Sequence, residues 1–470
     1  MKTDKFYING RWVAPSGQTR HAVINPATEQ AEAHIVLGDQ NDVNAAVAAA
    51  KAAFPSFSQT SIAERRELLS DINAELIKRN DEIAAVITAE MGAPVGLSRR
   101  AQAPSGPQHF GQILDVLDNF HWESKIGNSK IVKEPIGVCA LITPWNWPMN
   151  QMATKVAPAI AAGCTMILKP SENAPLDAII LAEILHDCGV PKGVFNLIHG
   201  DGMGVGQYLT SHKDVDMVSF TGSTRAGIAI SENAAPTIKR VALELGGKSP
   251  SIILEDCDLE ASVDGTISGC MGNTGQSCNA PTLMFVPAGH YEAACAIAAK
   301  TADSLKVGDP NDPKTNLGPI ANGNQYKKVK QLIQSGINEG AALIAGGDES
   351  LPEAGYFVAP TVFANVNESM RVFKEEIFGP VICMVSYDTI EEAIRLANKT
   401  EYGLSSYIWG NSQDECNAVA RKIRAGMVHI NGASLDAAAP FGGYKMSGNG
   451  REWGVFGLEE FLETKTIYAS

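Results

Sequence analysis

Cys278 closes the run GNTGQSC (Gly272–Cys278), where glycines and small polar residues leave a thiol reachable and let backbone N–H groups approach it. A free thiol titrates near ~8.5 and attacks only as thiolate, so this cysteine needs partners to act as a nucleophile. Taken alone, the run also suits a structural cysteine, the common fate of a free thiol. Glu244 in LELGGKSP (Leu243–Pro250) ends an apolar segment, where desolvation raises a carboxyl pKa and makes a general base. The alternative there is an acid that caps or pairs near Lys248. Asn146 in ITPWNWP (Ile142–Pro148) offers an amide that, with the Cys278 N–H, could hold an oxyanion; otherwise it is a turn former. Losing one such donor costs about 3–4 kcal/mol of transition-state stabilisation.

Two further motifs point to a nucleotide. In LKPSE (Leu168–Glu172), directly after an apolar run, Lys169 can reach ribose hydroxyls and Glu172 can accept from an adenosine 2′-OH. In FTGSTRAG (Phe220–Gly227), Gly222 and Gly227 bracket a strand-to-helix turn whose N–H groups can receive a pyrophosphate. GMGVG (Gly202–Gly206) does not match the GxGxxG fingerprint and follows a different strand.

The elements that must position these residues alternate. Apolar runs at Ile136–Thr143, Thr165–Lys169, Val194–His199, Met217–Phe220 and Val241–Leu245 read as strands, separated by helical stretches such as Met149–Ala162 and Leu176–Cys188. A second series places strands at Ser251–Leu254, Leu283–Val286, Ala342–Ile344, Val381–Val385, Ser406–Trp409 and Val428–Ile430. Its helices fall at Leu259–Met271, Tyr291–Leu305, Gln325–Glu339, Ile390–Asn398 and Gln413–Ile423. This alternation predicts two α/β domains with largely parallel sheets, meeting near Gly246-Gly247. Asn119–Glu134 reads as a hairpin turning at Gly127-Asn128, and Leu462–Ala469 alternates like an edge strand. Such strands either close a sheet of their own subunit or are covered by another chain, and pairing between subunits is the favoured expectation.

PWNWP, KPSE, FTGS, ELGGKSP, GQSC, EEIFGPV (Glu375–Val381) and PFGGYKMSG (Pro440–Gly448) occur here in an order and spacing that resembles the aldehyde dehydrogenase superfamily. The likeness runs from FYINGRWV (Phe6–Val13) to Glu452. It implies an α/β fold of two Rossmann-like parallel-sheet domains plus a small β oligomerisation element. Residues 1–118 and 136–246 would bind NAD, 247–445 would be catalytic, and 119–135 with 446–470 would form the oligomerisation hairpin and C-terminal strand. The implied reaction adds the Cys278 thiolate to an aldehyde, holds the thiohemiacetal with Asn146, passes a hydride to the cofactor, and hydrolyses the thioester with Glu244 as base. Lys155 and Glu452 match relay or positioning residues. Ile142, Thr143, Pro144, Trp145, Ser171, Ser223, Leu245, Glu376 and Phe378 match cofactor contacts, joining Lys169, Glu172, Phe220, Gly222 and Gly227. Trp147, Gln151, Thr154, Asn279, Leu435 and Phe441 match a substrate tunnel suited to an apolar or aromatic aldehyde.

Within that likeness, Glu244 favours the hydrolytic branch over a CoA-acylating one. Glu172 favours NAD, since an acid near the 2′ position repels a phosphate, while Lys169 leaves NADP open. The loop Ala433–Ala439 (ASLDAAA) contains no arginine, which disfavours an aldehyde with a distant carboxylate unless an arginine arrives from elsewhere. Asp436 in that loop could receive a cationic aldehyde or simply face water.

Composition sets outer bounds. A chain of 470 residues exceeds one ordinary core, and a formal charge of −14 with no basic stripe disfavours nucleic acid as a partner. No apolar stretch approaches the ~20 residues a membrane helix needs, and MKTDKFYING has no apolar signal core, so the expected address is cytoplasmic. Nine scattered cysteines form no CxxC and no Cys/His cluster, so neither a metal site nor a disulfide framework is expected. The expected partners are a small-molecule aldehyde and further copies of the chain, as a dimer or dimer of dimers. Two other classes remain: a cysteine hydrolase without redox chemistry, for which none of the nine histidines sits in a partner motif, and a non-catalytic scaffold.

Overall fold

Strand β7 (Val138–Ile142) shows why the sheets form as they do. Cys139 and Leu141 pack into one apolar core while Val138, Ala140 and Ile142 pack into another, so both faces are covered and the run is continuously apolar. The computed structural model describes residues 1–347 and 351–468. In chain order, β1 (Phe6–Ile8) and β2 (Arg11–Val13) precede a separate hairpin of β3 (Thr19–Ile24) and β4 (Ala31–Leu37). Strands β5 (Glu123–Ile126) and β6 (Ser129–Pro135) form a second hairpin. After β7 come β8 (Thr165–Lys169), β9 (Phe195–Leu197), β10 (Met217–Gly222) and β11 (Arg240–Leu245). The second series is β12 (Ser249–Ile253), β13 (Pro281–Pro287), β14 (Ala342–Ala345), β15 (Thr361–Ala364), β16 (Val381–Tyr387), β17 (Ser405–Trp409) and β18 (Met427–Ile430). The chain ends with β19 (Gly448–Asn449) and β20 (Leu462–Ile467).

The first sheet has the order β19-β11-β10-β7-β8-β9-β1-β2, with β7 to β11 mutually parallel. Strands β8 and β9 add on one side of β7 and β10 adds on the other, so the switch point lies between β7 and β10, where ligands bind such sheets. The second sheet, β14-β15-β16-β13-β12-β17-β18, is parallel except at β14. Its alternate side chains also divide between two cores, Leu283 and Phe285 against Met284 and Val286.

Several expectations change. Ala342–Ala345 is an antiparallel edge, not a member of the parallel series, and the sequence reading missed β15, β19 and the N-terminal strands. Residues 446–470 are not one small β element: β19 joins the first sheet beside β11, and the helix Gly454–Glu460 follows it. The tail pairs with the hairpin of its own chain, Leu462 opposite Pro135 through Ile467 opposite Lys130, giving the antiparallel sheet β20-β6-β5. The favoured pairing between subunits is therefore not needed to complete these strands. Ala469, the last residue of the expected tail strand, lies outside the described residues.

Candidate active site

Cys278 stands just before β13, at the end of a loop built on two consecutive left-handed residues, Asn273 (φ 51°) and Thr274 (φ 56°). Such backbone costs of order 1–3 kcal/mol per residue and persists where its surroundings hold it. Here they do. Asn273 Nδ2 donates to the Asn146 carbonyl at 2.9 Å, Gln102 Nε2 donates to the same carbonyl at 3.0 Å, and Gln276 Oε1 accepts the Ala321 N–H at 2.9 Å. The nucleophile loop is thereby tied to the WNWP turn. Asn146 is buried, and its Nδ2 donates to the Gln276 carbonyl at 2.9 Å; the second N–H of that amide is left for a ligand oxygen.

Glu244 lies on β11 opposite Gly448, 4 % exposed, and its Oε2 has no hydrogen-bond partner among the described residues. Burial, then the nearby Glu452 carboxylate, pushes its pKa well above the ordinary carboxyl range. It forms no ion pair with Lys248, whose ammonium is itself buried without a partner, so the pairing alternative is absent. Burial first, then the Glu376 and Glu244 carboxylates, also push the partly exposed Cys278 thiol up. Lys155 Nζ is ion-paired to Glu452 and donates to Ser219 Oγ at 3.1 Å, and both charges act on Glu244.

Two glycines make the crossing between the domains possible. A Cβ on Gly246 would fall 2.3 Å from Glu376 Oε2, and one on Gly247 would fall 2.5 Å from the Cys278 carbonyl. The Gly247 N–H donates to Glu376 Oε1 at 2.9 Å. Phe378 has φ 58°, and Gln325 Nε2 holds that bend by donating to the Ile377 and Phe378 carbonyls at 2.8 and 3.0 Å. The Phe378 ring meets Trp145 edge-on with centroids 5.5 Å apart.

These residues line a cavity of about 160 Å³ at the switch point of the first sheet. Of the expected cofactor residues, Pro144, Trp145, Gly222, Ser223, Leu245, Glu376 and Phe378 line it. Thr221, Gly246, Gln325 and Lys328 line it too and were missed, Gln325 and Lys328 because a helix from the second domain delivers them. Thr221 Oγ1 is buried there without a partner, and Ser223 caps the helix Thr224–Ala234, whose first turn points N–H groups outward. Unpaired polar atoms, a helix N-terminus and an aromatic clamp fit a dinucleotide. Ile142 and Phe220 pack into an apolar core, and neither they nor Gly227, Thr143, Ser171, Lys169 and Glu172 are among the residues that line this cavity. Lys169 is buried, giving two N–H groups to the Pro170 and Gly200 carbonyls at 2.8 and 2.7 Å and facing Glu172 at 3.7 Å. Its ammonium is committed internally, which leaves the half-buried Glu172 as the better placed of the two to meet a ribose.

A second, larger cavity of about 530 Å³ also reaches Cys278, which is the one described residue lining both. Trp147, Gln151, Asn279, Leu435 and Phe441 line it as expected. Thr154 does not: one helical turn deeper, it faces a separate small cavity with Trp453 and His109. Asp436 does not either, since its Oδ1 accepts the Ala438 N–H at 2.9 Å within its own loop. Arg100, His109, Tyr407 and Trp453 line the cavity without any signal in the motifs.

The description "Aldehyde dehydrogenase family" matches residues 12–467. The chain belongs to the aldehyde dehydrogenase family. It is 53% identical to a 3-succinoylsemialdehyde-pyridine dehydrogenase of a Pseudomonas species over 98% of each chain. The crystal structure of a mutant aldehyde dehydrogenase C from Pseudomonas syringae, complexed with NAD+ and octanal, matches with TM-score 0.98 and 49% identity, covering 99% of this chain and 97% of that one. Betaine aldehyde dehydrogenase from Staphylococcus aureus in complex with NAD+ matches at TM-score 0.95 and 36% identity, over 99% of this chain and 94% of that one. The enzyme is thus an oxidoreductase acting on aldehydes, and the two cavities meeting at one thiol are what that family's chemistry asks for. No helix among the described residues is long and apolar enough to cross a membrane, and none of their acidic, His and Cys side chains form a group able to hold a metal.

Proposed function

We propose that the enzyme oxidises an elongated aldehyde with an apolar or aromatic body to its acid, using NAD. The observation that carries this reading is the position of Cys278 as the sole residue shared by the two cavities. A carbon bonded to its sulfur lies between the aldehyde tunnel and the dinucleotide cavity. When bound, NAD supplies a cationic ring that favours the thiolate and accepts the hydride that leaves a thioester on the sulfur. Asn146 and the Cys278 N–H stabilise the oxyanion of the tetrahedral adduct. Glu244, desolvated and without an ion pair among the described residues, takes a proton from the water that cleaves the thioester. Glu376 would hold the sugar of the cofactor, and Trp145 with Phe378 would hold its ring, since all three line the smaller cavity.

The aromatic side of the tunnel, Trp147, Phe441, Trp453 and Tyr407, supports a long or aryl substrate. The substrates named for the relatives, a pyridyl semialdehyde and octanal, are of that kind. A cysteine hydrolase that relies on a histidine base finds none in the tunnel: His109, the one histidine lining it, is bonded to Asn150 at 2.6 Å, and burial holds its pKa down to about 4. Nine unbonded cysteines suit a reducing compartment such as the cytoplasm. The free edge of β5 suits contact with a second copy of the chain.

A steady-state panel of alkyl and aryl aldehydes with NAD and NADP in parallel tests the reading. Aldehyde-dependent NADH formation that Cys278→Ala abolishes is expected. Ester cleavage indifferent to NAD, with no aldehyde oxidised, would overturn it.

A further inference from the structure

The described lining of the larger cavity contains one formally charged side chain, Arg100. It contains no aspartate or glutamate, and Asp436, nearest in sequence to its mouth residues, is turned into its own loop. Arg100 projects from a π-helical turn, Ser98–Gln102, that interrupts the chain between two helices; such turns recur at functional sites because the inserted residue re-aims its neighbours. Its guanidinium lies over Gly96, where a Cβ would stand 3.2 Å from Nη2, and it forms no ion pair with the described residues. An arginine that is exposed, unpaired and beside a cavity mouth is a fork of N–H donors awaiting an oxygen or nitrogen acceptor.

A second polar group lies deeper in the same cavity. Gln151 is 5% exposed, its Oε1 is buried without a partner, and its side-chain amide makes no hydrogen bond to the described residues. A buried amide left unpaired is unfavourable, and a ligand group that pairs with it is selected over one that cannot. Among the residues lining this cavity, Arg100, Gln108 and Leu435 are exposed, whereas Gln151, His109 and Phe441 are buried.

We propose that Gln151 and Arg100 read a second polar function on the aldehyde, so that the enzyme prefers aldehydes carrying a hydrogen-bond acceptor remote from the reacting carbon. The shared chemistry is an oxygen or aromatic nitrogen acceptor, either neutral, as in an aryl keto aldehyde, or anionic, as in a semialdehyde acid. Aldehydes with a quaternary ammonium are disfavoured, because the single fixed charge in the cavity repels them. The arginine that the Ala433–Ala439 loop lacks thus arrives from residues 98–102. This inference rests on the larger cavity being the aldehyde site.

The test compares kcat and KM with NAD for octanal, an ω-carboxylate aldehyde of the same length, an aryl keto aldehyde and a trimethylammonium aldehyde. The wild type is expected to favour both acceptor-bearing substrates over octanal by on the order of tenfold in kcat/KM, chiefly through KM, and to favour the cationic one least. Arg100→Met should bring that ratio close to unity for the carboxylate, and Arg100→Lys should restore part of it by charge alone. Gln151→Leu should reduce it most for the keto aldehyde. Thermal melting of each variant, and a thermal shift by the matching dicarboxylate, separate misfolding from lost recognition. Oxidation of octanal and the carboxylate aldehyde at equal efficiency, or an unchanged ratio in Arg100→Met, overturns the proposal and leaves aldehyde oxidation standing. Failure of the wild type to oxidise any of the four overturns the underlying reading instead.

Discussion

Lys155 reaches from the middle of a helix, Pro148–Ala162, buried at every position but Asn150, to form an ion pair with Glu452, 297 residues further along the chain. The pair is 1% and 11% exposed on its two side chains and stands beside Glu244. Burial is the main cause that raises the Glu244 pKa; Glu452 pushes it further up and Lys155 draws it down, so the pair adjusts how readily the base ionises.

Replacing Lys155 with Met is expected to leave the Glu452 carboxylate buried and uncompensated, at a cost of about 3–5 kcal/mol in stability. The same change removes the cation that favours ionised Glu244. The acidic limb of the pH–rate profile should then move to higher pH, a shift that a purely structural role would not produce. Urea unfolding and a kcat profile on the soluble variant check the two effects, and Lys155→Arg should restore the limb more than the stability.

Glu244→Gln should separate the two halves of the reaction. The thioester still forms, giving a burst of NADH near one per site, while steady turnover falls by on the order of 10²-fold or more, the scale of a lost general base. In the wild type the steady rate should rise with pH through a pKa above the ordinary carboxyl range, because burial holds Glu244 protonated below it. The variant should lose that limb. Rapid-mixing fluorescence of NADH reads both, and an unchanged steady rate would remove Glu244 from this role.

Gly247→Ala should disturb the nucleophile without touching any reacting side chain. Its Cβ would meet the Cys278 carbonyl at 2.5 Å, and backbone cannot move aside as a flexible side chain can. A displaced Cys278 N–H also weakens the oxyanion site, so kcat should fall by on the order of 10²-fold, near the loss expected for Asn146→Ala. Circular dichroism should stay native for both. Full activity in Gly247→Ala would mean that the loop tolerates a shift of that size.

What the sequence discloses follows from how local each signal is. Strand β8 was legible to the residue because Thr165–Lys169 is buried on both faces and bounded by Gly163 and Pro170. Strand β19 was not, since Gly448–Asn449 has no apolar pattern and pairs only because the fold brings it beside Leu243. Cys278, Glu244 and Asn146 were legible because each sits in a motif at a strand end or loop, and the motifs together resemble a known family. Trp147 and Gln151 followed from the family resemblance, which also implied Thr154, but Thr154 faces a separate small cavity with His109 and Trp453. Arg100, Lys328 and Gln325 could not be read, because only tertiary folding carries them to the cavities.

Asp177 offers a stability test far from the thiol. Glu90 caps the helix Leu176–Asp187, accepting the Leu176 and Asp177 N–H groups at 2.8 and 3.3 Å, and Asp177 stands beside it with its carboxyl reached only by poorly aligned N–H groups of its own residue and Ala178. Burial, chiefly, raises both carboxyl pKa values well above their ordinary range, and Glu90 is raised further by Asp177. Between the ordinary carboxyl pKa of the unfolded chain and those raised folded values, the native state keeps protons that the unfolded state has lost. Stability therefore falls as pH rises across that window and levels off above it. Asp177→Asn cannot ionise, so it should match the wild type at about pH 4 and exceed it at about pH 8 by on the order of 1–3 kcal/mol. Glu90→Gln should gain less, because its amide loses part of the charge that favours the helix N-terminus. Urea midpoints at the two pH values decide: equal destabilisation of Asp177→Asn at both would show that its carboxylate is ionised and used as an acceptor.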